Sequence, residues 1–169
     1  MARLPAATAA WLGLVLALLS GTTQAQDLTV KAPGGRTAIV TDAQLRDLHR
    51  LRVTAAYGDH HSYAGAPISD LLALVGGPSD VTLHGPAVDQ IVVVTGSDKF
   101  YAVLSIAETA RSFRDTPVIV ADEEDGKPLD AKEGPYRLII GGDLKAARSV
   151  RMVTTIELRP IDREAAAKP

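Results

Sequence analysis

Gln90–Glu108 reads QIVVVTGSDKFYAVLSIAE, and this stretch decides the fold. Ile91 to Val94 is an aliphatic run with no polar alternation, the pattern of a strand buried on both faces. Gly96-Ser97-Asp98 breaks the run, and Phe100 to Leu104 extends again, so the spacing predicts two strands joined by a tight turn. Ser105 and Glu108 then stand at capping-box spacing and predict a helix running through Phe113. Strand, turn, strand and helix start within 19 residues imply a domain of short elements, α+β in class.

The flanking sequence repeats this texture. Upstream, Leu28 to Lys31 extends, Pro33-Gly34-Gly35 turns, and Thr37 to Val40 extends. Thr41 or Asp42 can cap a helix with Leu45, Leu48 and Leu51 on one side. Leu51 to Tyr57 is β-like and is broken by Gly58-Asp59. Pro67 to Leu74 has helical spacing and ends at Gly76-Gly77. Downstream, strands are expected at Pro117–Ala121, Tyr136–Ile140 and Val150–Leu158, with a turn at Asp125-Gly126-Lys127-Pro128. The total is about eight strands and three short helices, without repeats or a linker long enough to divide 26–160 into two domains.

Composition narrows the function. The 169 residues carry 18 basic and 20 acidic side chains, so there is no basic footprint for nucleic acid. Cysteine is absent, which removes disulfides, thiolate nucleophiles and thiolate metal ligands. Apolar residues make up 46% but aromatics only 4%, so the core must be Val, Ile, Leu and Ala. Residues 1–25 read as a secretory signal: Arg3, the apolar run Trp11–Leu19, and the small-x-small pattern Thr23-Gln24-Ala25. The apolar stretch is about 14 residues, short of the roughly 20 that span a bilayer. Its removal leaves 17 basic against 20 acidic groups and no transmembrane anchor. The expected compartment is periplasmic or extracellular, and the tail 161–169 is expected to fray.

Several side chains qualify for chemistry. His61, beside His60 and Asp59, can face a pocket, although neighbours on an extended segment point to opposite sides and disfavour a metal site. Asp98 either caps its own turn or offers a carboxylate to an amino-substituted heterocycle, with Tyr101 as a stacking surface. Arg137 opens the apolar strand Leu138-Ile139-Ile140 and needs a partner: Asp143, Asp98 or a bound anion. Lys145, Arg148 and Arg151 form either a solvated basic face or an oxyanion clamp. Asp122 to Asp125 reads as a solvated charge run. No nucleophile–base pair, P-loop or dinucleotide fingerprint is present, which favours binding over catalysis.

Five segments, in order, resemble the sulfite-oxidase-type molybdopterin-binding domain family. They are Tyr63–Leu72 (YAGAPISDLL), Val94–Ser105 (VTGSDKFYAVLS), Ala121–Leu129 with its Asp-Gly-Lys-Pro-Leu turn, Glu133–Ile140 (EGPYRLII) and Ala147–Arg151 (ARSVR). The resemblance spans roughly 37–159 and implies a strand-rich, barrel-like mixed-sheet fold. It also implies that Arg137 contacts a pterin cofactor and that Arg148, Ser149 and Arg151 hold its phosphate. The family's molybdenum-binding cysteine falls near Val53 to Ala55, where this chain has none. The implied function is an exported, non-catalytic module that holds a pterin, molybdopterin or similar anionic heterocycle. Tyr101 would stack, Asp98 or Glu133 would pair with ring NH groups, and Arg137 with Arg148 would take the acidic end. His61, Asp98, Tyr101, Arg137, Arg148, Ser149 and Arg151 are thus the candidate binding residues, with no catalytic residue and no metal ligand. A membrane signalling or redox protein is the expected partner. The alternatives are a molybdopterin-dependent oxidoreductase with a non-cysteine ligand, and a protein-interaction scaffold with a decayed pocket.

Overall fold

A computed structural model describes residues 26–78 and 83–161, so the expected signal at 1–25 and nearly all of the tail lie outside the described residues. Among those described, ten strands form two sheets, accompanied by two α-helices.

The first sheet has the order β2-β1-β10-β5-β6, with β1 and β10 parallel and its other neighbours antiparallel. β1 (Leu28–Ala32) buries Leu28, Val30 and Ala32. A 3₁₀ turn, Pro33–Gly35, returns the chain into β2 (Arg36–Val40). Gly34 and Gly35 hold φ of 78° there, a conformation that costs glycine nothing. β5 (Gln90–Gly96) buries Val92, Val93 and Val94, the two-sided burial its sequence predicts. β6 (Tyr101–Ser105) alternates, with Ala102 and Leu104 inward. β10 (Val153–Pro160) lies between β1 and β5 and begins three residues later than expected.

The second sheet runs β3-β4-β7-β8, with β9 also paired to β7. Its members are β3 (Leu51–Thr54), β4 (Ser62–Pro67), β7 (Val118–Glu124), β8 (Lys127–Pro128) and β9 (Arg137–Ile140). β4 is a strand that propensity does not announce, because Tyr-Ala-Gly-Ala-Pro is mostly small residues. Its reason is tertiary: a Cβ on Gly65 would lie 2.0 Å from the Val120 carbonyl oxygen, so only glycine lets β4 press onto β7. β7 is central and two-faced. Val118 and Val120 enter the main core, and Ile119 and Ala121 enter a smaller cluster with Val53, Ala55, Tyr63 and Ile139.

The helices are shorter than expected. α1 (Asp42–Asp47) starts with a complete capping box between Thr41 and Gln44 and then ends; Leu48 is already extended. Leu51 therefore lies on β3 rather than on a helix face with Leu45, and His49 lies beyond the helix end. α2 (Ile68–Ala73) buries Ile68, Leu71 and Leu72. The chain leaves it through Gly76 at φ 70°, with the Gly77 amide bonded to Leu72 O at 2.9 Å, a glycine exit common at helix ends. The Ser105–Glu108 capping box also forms, but it opens only a 3₁₀ turn, Ile106–Thr109. After Ala110 come Arg111-Ser112, and the next apolar residue, Phe113, stays exposed.

The acidic run at 122–125 is not a solvated loop. β7 extends to Glu124, so most of the run belongs to the strand. Asp122 is buried and takes Arg50 in a two-pronged contact, Nη2 at 2.7 Å and Nη1 at 3.2 Å, the strong geometry for a guanidinium on a carboxylate. Arg46 Nε stands 3.5 Å from the same carboxylate. The Asp125-Gly126 pair, at φ 50° and 77°, turns β7 into β8, as left-handed residues do in a tight hairpin.

Candidate functional site

The segment between β9 and β10 joins the two sheets and builds the site. The Leu138 amide donates to Val150 O and the Val153 amide to Tyr136 O, each at 2.8 Å. Between them, Met152 sits at φ 46°, outside the usual range for its type, and is held from both sides. Its amide donates to Glu133 O and its carbonyl accepts from the Ser97 amide, both at 2.9 Å. This strained residue presents the neighbouring Arg151 to the Glu133 loop.

Arg137 is the centre. Residues alternate along β9, so Leu138 and Ile140 enter the main core while Arg137 faces the smaller cluster with Ile139. The guanidinium is only 5% exposed yet well supplied with partners. Nε donates to Ser149 Oγ at 2.9 Å, and Nη1 donates to Tyr63 Oη at 2.9 Å and to the Glu133 carboxylate. The guanidinium carbon stands 5.2 Å from the centroid of the Tyr63 ring, a cation–π distance. Ser149 donates its own proton to Leu138 O at 2.7 Å. Arg151 Nε meets the other Glu133 oxygen at 3.2 Å, so two arginines share one carboxylate.

The network continues outward through Tyr63. Its hydroxyl donates to Glu124 Oε1 at 3.0 Å, and burial pushes the phenol's pKa up, partly countered by Arg137. Glu124 Oε1 lies 3.6 Å from His61 Nδ1, which bonds Asp125 Oδ2 at 2.6 Å. That bond, together with the charge of Glu124, raises the imidazole pKa above its ordinary 6.5, since nearby anions favour the charged form. Asp125 is held below the usual carboxylate range, first by the Ser62 amide at 2.9 Å and then by His61.

Four expected residues, Arg137, Ser149, Arg151 and His61, therefore belong to one continuous polar chain. Three do not. Asp98 accepts from the Phe100 amide at 2.9 Å and caps its own turn. Its turn packs close to the last loop, with Gly96 against the Arg151 carbonyl. Tyr101 is 60% exposed at an outward position of the edge strand β6. Arg148 is held elsewhere: Asp143 takes it in a two-pronged contact at 2.8 and 3.1 Å, and Glu108 takes it at 3.0 Å. These bonds raise its pKa further, so it remains a fixed cation outside the cluster. The partner of Arg137 is neither Asp143 nor Asp98 but Glu133, four residues back in the preceding loop. Sequence reasoning also missed Tyr63 and Glu124, whose only signal is the pairing of β4 with β7.

The cluster's chemistry suits an anion better than a metal. Arg151 is half-exposed and meets Glu133 through Nε, which puts a guanidinium at the surface beside that carboxylate. No thiolate is available anywhere in the chain, and no three His, Asp or Glu side chains converge on a metal position among the described residues. The donor set fits the acidic end of a pterin cofactor and does not fit a thiolate-bound molybdenum.

No curated protein sequence matches the chain. Among solved structures, the sulfane dehydrogenase SoxCD from Paracoccus pantotrophus superposes with a TM-score of 0.56 at 16% identity. The match covers 79% of this chain and 38% of that one, so this protein spans well under half the length of its structural neighbour and shares its fold. The model of the oxidoreductase molybdopterin binding domain matches residues 9–166, nearly the whole sequence, and the chain belongs to that family.

Proposed function

We propose that the domain is an exported binding module that holds a pterin or a similar flat anionic heterocycle without carrying out redox catalysis. One observation carries the reading: Arg137 and Arg151 meet on a single internal carboxylate, Glu133, while Ser149 holds the Nε side of Arg137. In the resemblance these three positions serve a cofactor's acidic end. Glu133 is the chain's own substitute for that anion: it neutralises Arg137, which burial would otherwise penalise, and pairs with the half-exposed Arg151. A ligand phosphate or carboxylate replaces Glu133, while Tyr63 and Ser149 keep Arg137 in place. The thiolate that carries molybdenum in the family's enzymes has no counterpart here, so no step is assigned to a metal. The secretory pattern of residues 1–25 supports a periplasmic or extracellular setting, where a membrane signalling or redox protein would read the loaded state.

A second reading is favoured by the same geometry. Arg137 is satisfied within the chain, as in a scaffold that has lost its ligand. Mass spectrometry of small molecules released on denaturing protein purified from its native compartment separates the two. A pterin near one per chain, lost on Arg151→Ala, supports the binding module. Protein that arrives empty and also fails to take up added reduced pterin overturns it in favour of the scaffold.

A further inference from the structure

β6 ends the first sheet, and among the described strands it pairs with β5 alone. The hairpin between them fixes which way its backbone groups point. The Lys99 amide donates to Gly96 O at 3.1 Å and the Gly96 amide to Phe100 O at 2.9 Å. Bonded and non-bonded pairs alternate along an antiparallel ladder, so beyond that closing bond Val94–Ala102 and Val92–Leu104 are the bonded pairs. Tyr101 and Val103, opposite Thr95 and Val93, therefore aim their amides and carbonyls away from β5. The next outward amide, that of Ser105, is already taken by Glu108 Oε2 at 2.9 Å.

Sheet edges are ordinarily guarded by a charge, a proline or a covering segment, because a bare edge templates pairing with another strand. The other described edges are guarded. β2 carries Arg36, β3 carries Arg52, and β8 is Lys127-Pro128. β9 is met on its far side by Val150, whose carbonyl accepts the Leu138 amide at 2.8 Å. β6 carries neither charge nor proline, and its outward side chains include Tyr101 and Val103, 60% and 44% exposed. Opposite charges stand at its two ends: Lys99 in the turn before it, and Glu108 folded back on Ser105 after it.

We propose that β6 is the surface through which two copies of this chain pair, strand to strand and antiparallel, about a two-fold axis at Ala102. In this register Tyr101 lies opposite the partner's Val103, and Val103 opposite the partner's Tyr101. Every outward amide and carbonyl of these two residues then finds a partner, and each exposed face gains an aromatic ring beside a β-branched side chain. Moving the axis to Val103 is worse, because the Tyr101 carbonyl would then need the Ser105 amide that Glu108 holds. Charge chooses the same arrangement. Lys99 comes opposite the partner's Ser105, beside the carboxylate of the partner's Glu108, whereas parallel pairing would set lysine against lysine. The contact is isologous, so it closes at a dimer and does not propagate.

Sedimentation velocity of protein purified from its native compartment tests this, over concentrations from about 10 μM to 1 mM. A contact of this size is small, so a weak, reversible monomer–dimer equilibrium is expected. Val103→Lys puts a charge on the bare edge, and Val103→Pro deletes an outward amide that β5 does not use. Each should weaken the dimer at least tenfold, with circular dichroism confirming the fold. The chain has no cysteine, so introduced thiols report the register. Tyr101→Cys protein mixed with Val103→Cys protein should form the mixed disulfide at least fivefold over either self-linked dimer. A monomer throughout the range, a dimer as tight in both Val103 variants as in the wild type, or a preference for self-linked disulfides overturns the proposal.

Discussion

Replacing Arg137 by methionine keeps most of the aliphatic volume and removes the charge that the smaller cluster is built around. The guanidinium side chain is 7% exposed and that of Glu133 is 17% exposed, so the loss falls in a region that water reaches poorly. Removing one partner of a buried ion pair costs about 3–5 kcal/mol, because the other charge stays behind. The lower end applies here: Arg151 remains 3.2 Å from Glu133, and the Tyr63 hydroxyl keeps Glu124. A cost of about 3 kcal/mol in a protein of this size lowers Tm by on the order of 10 °C. Urea unfolding followed by circular dichroism measures it, with an unchanged m-value marking a stability effect rather than a change of state. Adding Glu133→Gln to Arg137→Met removes the stranded carboxylate and should recover at least half of the loss. A single-variant cost below about 1 kcal/mol, or a double variant less stable than the single, refutes the claim that Glu133 and Arg137 are one buried unit.

Other variants separate the roles of neighbouring groups. Tyr136→Phe should stabilise the protein without ligand by about 1 kcal/mol, since it deletes a buried hydroxyl that bonds to no described residue. Tyr63→Phe should instead cost about 1–3 kcal/mol, because its hydroxyl both accepts from Arg137 and donates to Glu124; chemical denaturation compares the two. Gly65→Ala should cost more than about 3 kcal/mol or prevent folding, since its Cβ would overlap backbone atoms of Val120 and Ala121 that cannot move aside; soluble yield and Tm report it. The His61–Asp125 contact should stabilise most between about pH 4 and 6.5. The imidazole pKa is raised on folding, so its contribution is complete below about 6.5 and fades as pH climbs through the folded value. The Asp125 pKa is lowered, so its contribution is complete above about 4 and fades as pH drops through the folded value. An NMR titration should place His61 above 6.5 and, in Asp125→Asn, bring it back down toward that value.

What can be read in the sequence is local. Ser105 with Glu108 announces a cap through residues three apart, and the cap forms. Its helix does not follow, because helix length depends on what the next turn can bury. The two-sided burial of Val92 to Val94 is likewise carried by the run itself. β4 is illegible, since a strand of small residues is dictated by the close approach of β7, a contact between distant parts of the chain. The same divide runs through the site. An arginine opening an apolar strand marks Arg137 as a buried charge in need of a partner. Which carboxylate answers depends on how the loop before β9 folds back, and Tyr63 arrives from 74 residues away. Asp122 reads as solvated inside an acidic run because its partner, Arg50, lies 72 residues upstream. Asp98 reads either way in the sequence, as a turn cap or a ligand carboxylate, and its Oδ1 accepts from the Phe100 amide of its own turn.

The central claim is that Glu133 stands in for the acidic group of a ligand. It is tested most directly by the affinity of a phosphate-bearing reduced pterin for the wild-type protein and for Glu133→Gln, measured by isothermal titration. Neutralising Glu133 frees two arginines from an internal competitor, so the account predicts binding to the wild type and roughly tenfold tighter binding to the variant, equivalent to about 1.4 kcal/mol. Equal or weaker binding by Glu133→Gln, or no binding to either protein, contradicts it.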